Sequence, residues 1–254
     1  YPPAVANLDD VRALGQEVAE HGFTALKTNI FRETPHGLVG WSPGFGGPSE
    51  PERTPKREVL KGLQDYLQAF RDGAGSDLDI LFDLNFIART EGYLTLLRAL
   101  RDHDLFWVEI DTPHATALST IRRHSPFTIS GCESLTGLVE FLPYFQQEAL
   151  DVAIIDAVWI GIWQSLKIAA TADAYQINVA PHTYYGHLAT MMNVHFCAAV
   201  PNLKIMETDI DRFGGDAEIF THAPHIENGE VEVPDRPGWG TEPNEAALAK
   251  YPPL

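Results

Sequence analysis

Residues 79–110, DILFDLNFIARTEGYLTLLRALRDHDLFWVEI, read as one strand–helix–strand unit. Asp79–Leu84 and Phe106–Ile110 are short runs, mostly apolar, as strands covered on both faces are. Between them, residues 90–103 have helical spacing: Leu94 and Leu97 share an apolar face, and Arg98 and Arg101 follow in the closing turn, where cations oppose the helix dipole. Strands joined by helices of this length belong to βαβ units and a parallel sheet.

The unit repeats in both directions. Further apolar runs fall at Phe23–Thr28, Phe127–Ser130, Asp151–Ile155, Gln176–Ala180 and Leu203–Met206, with helical stretches at 9–21, 54–72, 114–124, 135–149, 161–174 and 186–199. The whole predicts an α/β fold with seven parallel strands. At 254 residues the chain has the length of one (β/α) barrel, which needs about 250. One connection is long: Phe31–Pro55 is rich in Gly and Pro, and a long loop after a strand opens on the catalytic face of a barrel. After Asp211 the alternation stops. The organisation predicted is therefore a barrel over 1–211 and an irregular closing segment over 212–254 that packs on the barrel or on a further domain.

Chemistry is concentrated where the apolar runs end. The second run ends in Asp83-Leu84-Asn85, the third in Glu109, the fourth in Gly131-Cys132-Glu133, the fifth in Asp156, the sixth in Pro181-His182 and the seventh in Glu207, while the first carries Lys27 and Asn29. A charge at the end of a buried strand is costly unless paired or metal-bound. In a parallel barrel these ends converge on one face. Asp83, Glu109 and Glu133, on adjacent strands, make an all-oxygen site suited to Mg²⁺; the alternative for any one of them is a helix cap. Asp156 and His182 lie on neighbouring strands, and a carboxylate beside an imidazole raises its pKa and fixes its tautomer for general acid/base work; the alternative is a structural ion pair.

Other features carry less. His187 and His195 are expected to face packing or solvent, His222 and His225 lie in the closing segment, and His36 and His114 lie in loops that could reach a substrate. Trp159 and Trp163 are expected to pack. Gly44-Phe45-Gly46-Gly47 lacks the strand and the Lys-Ser/Thr of a phosphate loop. The formal net charge of −17 disfavours nucleic acid and anionic membranes, and no apolar run has the length of a membrane span. Two cysteines, Cys132 and Cys197, do not make a disulfide framework, which predicts a reducing, cytoplasmic setting. The opening Tyr1-Pro2-Pro3, without an initiator Met, reads as a cut inside a longer chain.

Taken in order, Leu26-Lys27-Thr28-Asn29, Asp83-Leu84-Asn85, Trp107-Val108-Glu109, Gly131-Cys132-Glu133, Asp156 with Gly161, and Ala180-Pro181-His182 resemble the enolase superfamily, in its mandelate racemase/muconate lactonizing enzyme subgroup, and look closest to the acid-sugar dehydratases. The closing segment is similar as well, at Ile226-Glu227-Asn228-Gly229-Glu230 and Pro237-Gly238-Trp239-Gly240. The resemblance implies a modified (β/α)7β barrel, with an amino-terminal α+β capping domain that is missing here. It implies one Mg²⁺ held by Asp83, Glu109 and Glu133, which binds a substrate carboxylate and stabilises the enediolate formed when a base removes the α-proton. Lys27 would lie near that carboxylate, Asp156 and His182 would form the acid/base dyad, and Glu207 would hydrogen-bond substrate or intermediate. Such barrels are often homo-oligomers acting on small carboxylates.

Two positions depart from the family. Asn29 stands where a second Lys is frequently the base, and Asn85 stands where some dehydratases have a His; both become substrate-binding candidates. One clear dyad remains, which favours β-elimination of water from an aldonate or aldarate over racemisation, epimerisation or cycloisomerisation. A non-catalytic metal-binding barrel is the alternative from another class. Glu109-Ile110-Asp111-Thr112-Pro113 is also unusual, since the family places two acids directly before Pro, and Asp111 is expected to stand behind the metal ligands.

Overall fold

With Ile80, Leu81 and Phe82 in succession, the strand of residues 79–83 has no polar face to turn to water, so both faces must be covered. The computed structural model, which describes residues 5–34, 37–40, 54–209 and 216–251, covers them with helices on one side and with the strand's own neighbours on the other.

The chain opens with α1 (Leu8–Glu20), β1 (Ala25–Thr28), a hairpin of β2 (Phe31–Thr34) and β3 (Gly37–Gly40), then α2 (Arg57–Ala74) and β4 (Asp79–Asp83). It continues through α3 (Thr90–Ala99), β5 (Trp107–Glu109), α4 (Ala115–His124), β6 (Ile129–Gly131), α5 (Leu138–Gln146) and β7 (Val152–Ile155). There follow α6 (Ala157–Ile160), α7 (Ile162–Ala174), β8 (Asn178–Pro181) and α8 (His187–Ala199), and then α9 (Asp216–Ile219), the hairpin β9 (Ile226–Glu227) and β10 (Glu230–Val231), and α10 (Glu245–Leu248).

The main sheet runs β1-β4-β5-β6-β7-β8, every pair parallel and every strand beside its successor among these six. That order is the order of a barrel. Alternation along each strand then separates two cores. Ile80, Phe82, Val108, Ile129, Ala153, Ile155 and Val179 face the helices. Leu81, Trp107, Val152, Ile154 and Ala180 face inward and form one cluster with Ala25 of β1 and Ile205 beyond β8. Residues from the first and last segments can meet in one cluster only because the sheet curls on itself.

Three details depart from the sequence reading. The seventh run, Leu203–Met206, does not form a ladder: it makes one parallel bridge, Val179 to Leu203, with Lys204 N–H donating to the Val179 carbonyl at 2.8 Å. It has a partner on the β8 side, and Pro201 just ahead of it has no N–H to give. The connection beginning at Phe31 contains a hairpin, with Leu38 N–H bonded to the Ala6 carbonyl at 2.8 Å; His36, Gly44–Gly47 and the rest of 41–53 lie outside the described residues. Trp159 and Trp163 pack only in part: they are 55% and 71% exposed, Trp159 lying edge-on to the His182 ring at 6.3 Å and Trp163 under the Lys167 ammonium at 5.2 Å. They sit at a break where Gly161, at φ 77°, ends α6 and begins α7, so the helix presents them to solvent.

Candidate active site

The same alternation that builds the inner cluster also builds the site above it. Leu81 and Asp83, Trp107 and Glu109, Ile154 and Asp156, Ala180 and His182, Ala25 and Lys27, and Ile205 and Glu207 are each two residues apart, so each charged group stands directly above an inward apolar one. A cavity of about 700 Å³ is lined by Lys27, Asp83, Glu109, His182 and Glu207 together with Asn29, Asn85 and Glu133. All nine residues singled out in the sequence therefore meet at one end of the barrel, Asp156 doing so through its bond to His182.

Asp83 and Glu109 are Cα partners at the ends of β4 and β5, and Glu133 follows β6 by two residues. One oxygen from each lies within 4.8 Å of the others, a span one hard cation can bridge at about 2.0–2.6 Å from each. Glu109 is fully buried; its Oε1 has no hydrogen-bond partner, and its Oε2 has only the Lys27 ammonium, 3.1 Å away. A buried, unbonded carboxylate oxygen in an all-oxygen set fits Mg²⁺, and Asp83, Glu109 and Glu133 are the residues that could hold it.

Lys27 reaches into this cluster. Its Nζ is 3.1 Å from Glu109 Oε2, 3.1 Å from Glu207 Oε1 and 3.4 Å from Asp83 Oδ2. Burial disfavours the ammonium, but Glu109, Glu207, Asp83 and Glu133 together outweigh it and hold Lys27 well above the ordinary lysine range. The acids still outnumber the one cation. Burial first, then neighbouring carboxylates, push Glu109 and Glu133 up from their usual values, and Asp111 up to about 8. A divalent cation is the charge this cluster lacks.

Across the cavity, His182 Nδ1 lies 2.8 Å from Asp156 Oδ2, and its Nε2 lies 3.4 Å from Glu133 Oε2. Asp156 is completely buried, yet it is amply bonded: Oδ1 accepts from Val158 N–H and Trp159 N–H, both at 2.9 Å, capping α6, and Oδ2 also accepts from Tyr185 Oη at 2.5 Å. Burial works against the charge of Asp156, but these bonds, led by His182, hold it below the usual carboxylate value. Burial also lowers His182, but Asp156, then Glu207 and Glu133, leave it raised. The Asp156–His182 ion pair is thus present, and the same carboxylate also caps α6 through its other oxygen.

Glu207 crosses the open seam of the barrel: Oε1 pairs with Lys27 on β1, and Oε2 accepts the Thr183 N–H at 2.7 Å just after β8. At the mouth, Asn29 Nδ2 donates to Asn85 Oδ1 at 3.1 Å. The sequence reading missed Tyr185, whose only signal was its place three residues beyond His182. It also missed Tyr184, which lies exposed beside His182 with ring centroids 5.2 Å apart. His187, His195, His222 and His225 are not among the residues lining the cavity.

A family model described as "Enolase C-terminal domain-like" matches residues 10–247. A D-gluconate dehydratase from Thermoproteus tenax is 27% identical over 241 residues, covering 93% of this chain and 45% of that protein. A 3,6-anhydro-alpha-L-galactonate cycloisomerase from Streptomyces coelicolor is 30% identical over 72% of this chain and 50% of its own length. Among solved structures, a protein of Burkholderia xenovorans strain LB400, carrying the provisional name L-alanine-DL-glutamate epimerase and bound to magnesium and fumarate, superposes with a TM-score of 0.97 at 55% identity, over 100% of this chain and 63% of that one. The chain thus spans about half the length of these two curated relatives and under two thirds of the structural one.

Proposed function

The chain belongs to the enolase C-terminal domain-like family, and from that premise we propose that it is the barrel of a Mg²⁺-dependent acid-sugar dehydratase, acting on an aldonate or aldarate to give a 2-keto-3-deoxy acid. The observation that carries this reading is the asymmetry of the two basic side chains. Lys27 is enclosed by carboxylates and held as an ammonium, whereas His182 has an ionised Asp156 behind it and a second nitrogen turned to the cavity.

Mg²⁺ bound by Asp83, Glu109 and Glu133 supplies positive charge that makes the proton beside a substrate carboxylate more acidic. The chain's own groups do the rest. Lys27 pairs with the substrate carboxylate. Asp156 keeps the proton on His182 Nδ1, so Nε2 is free to take the α-proton. The imidazolium so formed returns that proton to the departing β-hydroxyl. The C–H and C–O bonds break, a C=C bond forms, and one water leaves; the resulting enol ketonises to the product. Glu207, Asn29 and Asn85 hydrogen-bond the substrate's polar groups, and the long connection at Phe31–Pro55 contributes to its selection. A barrel over 1–211 closed by 212–254, a homo-oligomer and a cytoplasmic setting belong to the same proposal. The hairpin of β9 and β10 supports the closing role, since Ile226 and Val231 line the cavity. No helix among the described residues is long and apolar enough to cross a membrane.

A second reading, epimerisation, is favoured by the provisional name of the Burkholderia xenovorans relative. It needs a proton donor on the opposite face of the α-carbon, and Lys27 is the group that would have to serve. Proton NMR of an aldonate and aldarate panel in D₂O with Mg²⁺ separates the two. Dehydration yields a deuterated 3-deoxy methylene and loses it with EDTA. Exchange at the α-carbon with every hydroxyl retained would replace the dehydratase by an epimerase.

A further inference from the structure

Asp111 is 3% exposed, carries a carboxylate, and is not one of the three acids that converge at ligand distance. An acid buried this way is a burden on the fold unless its position does something. Its contacts go to the backbone beside the metal-site acids. Oδ1 accepts the N–H of Cys132 at 2.8 Å, and the N–H of Asp111 itself donates to the Asn85 carbonyl at 3.2 Å.

Both of those partners lie within two residues of a metal-site acid, and both have left-handed backbone. Cys132, at φ 87°, precedes Glu133; Asn85, at φ 43°, follows Asp83 by two residues and donates its N–H to Asp83 Oδ1 at 2.8 Å. Asn adopts left-handed backbone readily, but for Cys132 it is strained and persists only where surrounding bonds enforce it. Tyr93 adds to the enforcement from below, its Oη donating to the Asn85 carbonyl at 2.6 Å. The junction leaves no room to shift: a Cβ on Gly131 would stand 2.3 Å from the Ile110 carbonyl oxygen.

We propose that Asp111 is a positioning residue for the metal centre: its carboxylate pins the backbone before Glu133 and its amide pins the backbone after Asp83, so that three separate strand ends present their acids at ligand spacing. The proposal rests on the reading of Asp83, Glu109 and Glu133 as a metal centre. A ligand displaced by a fraction of an ångström loses affinity, and changes in groups that orient metal ligands usually cost about 10–100-fold in metal binding.

The test titrates the full chain with Mn²⁺, with free Mn²⁺ followed by electron paramagnetic resonance. Asp111→Ala is expected to weaken binding about 10–100-fold. Asp111→Asn keeps an acceptor oxygen for the Cys132 N–H and is expected to stay within about threefold of wild type. Circular dichroism of the metal-free proteins is expected to coincide. Wild-type affinity in Asp111→Ala, while Glu133→Gln loses the ion, would overturn the brace and leave the metal centre standing. Equal weakening in both Asp111 variants would show that charge, not the bond to Cys132, matters, and would also overturn it. A wild-type chain binding no Mn²⁺ that Glu133→Gln removes would overturn the metal centre and the brace with it. If Asp111→Ala does not fold, Asp111→Asn decides alone: retained affinity upholds the brace, lost affinity refutes it.

Discussion

His182 Nδ1 and Asp156 Oδ2 stand 2.8 Å apart, and the other oxygen of the same carboxylate caps α6 through two backbone N–H groups. Those two duties can be separated. Asparagine also caps helices well, so Asp156→Asn should fold normally. Its amide NH₂ would face Nδ1 and move the ring proton to Nε2, the nitrogen proposed to act as base. Turnover should fall by about 10²–10⁴-fold with KM little changed, and His182→Asn should abolish it. Steady-state kinetics beside circular dichroism checks this; near-wild-type kcat in either variant would refute the dyad.

Metal removal should be visible in stability. A ligand at 100 times its Kd stabilises the folded state by about 2.7 kcal/mol, which for a chain of this size is roughly 5–10 °C in Tm. Adding EDTA should lower Tm by that amount in wild type and change nothing in Glu133→Gln or Glu109→Gln. Calorimetric scans with and without chelator give the answer directly.

Lys27 and a bound cation compete for the same carboxylates, which sets opposite signs for two measurements. Lys27→Met leaves Asp83, Glu109 and Glu207 without their ammonium. The metal-free variant should lose about 1.5–3 kcal/mol in urea unfolding, the scale for charged hydrogen-bonded groups left unpaired. Its affinity for Mn²⁺ should rise, because a positive charge beside the site has gone, while turnover is lost. Unchanged or weaker Mn²⁺ binding would contradict the geometry of Lys27.

The crossing of α1 and α2 predicts a reversed sign. Gly→Ala in a helix interior ordinarily stabilises by about 1 kcal/mol. At Gly73 an added Cβ would lie 1.9 Å from the Arg12 carbonyl oxygen, so the helices must separate. Gly73→Ala should therefore destabilise the chain by about 1–3 kcal/mol, the cost of overpacking, without altering Mn²⁺ binding. Urea denaturation at constant m-value measures it.

The sequence by itself determined the alternation of strands and helices and the end of the barrel at which the strand-end charges gather. Short apolar runs such as Ile80–Phe82 and Ile154–Ile155 exclude a one-sided sheet, the helical stretches between them impose parallel strands, and a strict two-residue period then forces Asp83, Glu109, Asp156, His182 and Lys27 to the same end of the barrel. These are local rules of backbone geometry, and they survive translation into sequence.

What the tertiary structure decided is everything that depends on register between strands and on which charges share a dry space. The placement of Lys27 inside the acid cluster, rather than on its own side of the cavity, follows from how far β1 rises beside β4 and where Glu207 lands across the seam. The bond between Asp111 and Cys132 joins residues just beyond the ends of the successive strands β5 and β6. Its strength as an organising contact comes from left-handed backbone that no residue-type pattern announces. Tyr185 reaches Asp156 because the segment after β8 folds back over it. The exposure of Trp159 and Trp163 depends on the helix break at Gly161, where φ is 77°. Side-chain identity and spacing specify which groups come together; only the folded chain fixes the distances and the burial, and these set the charge each group carries.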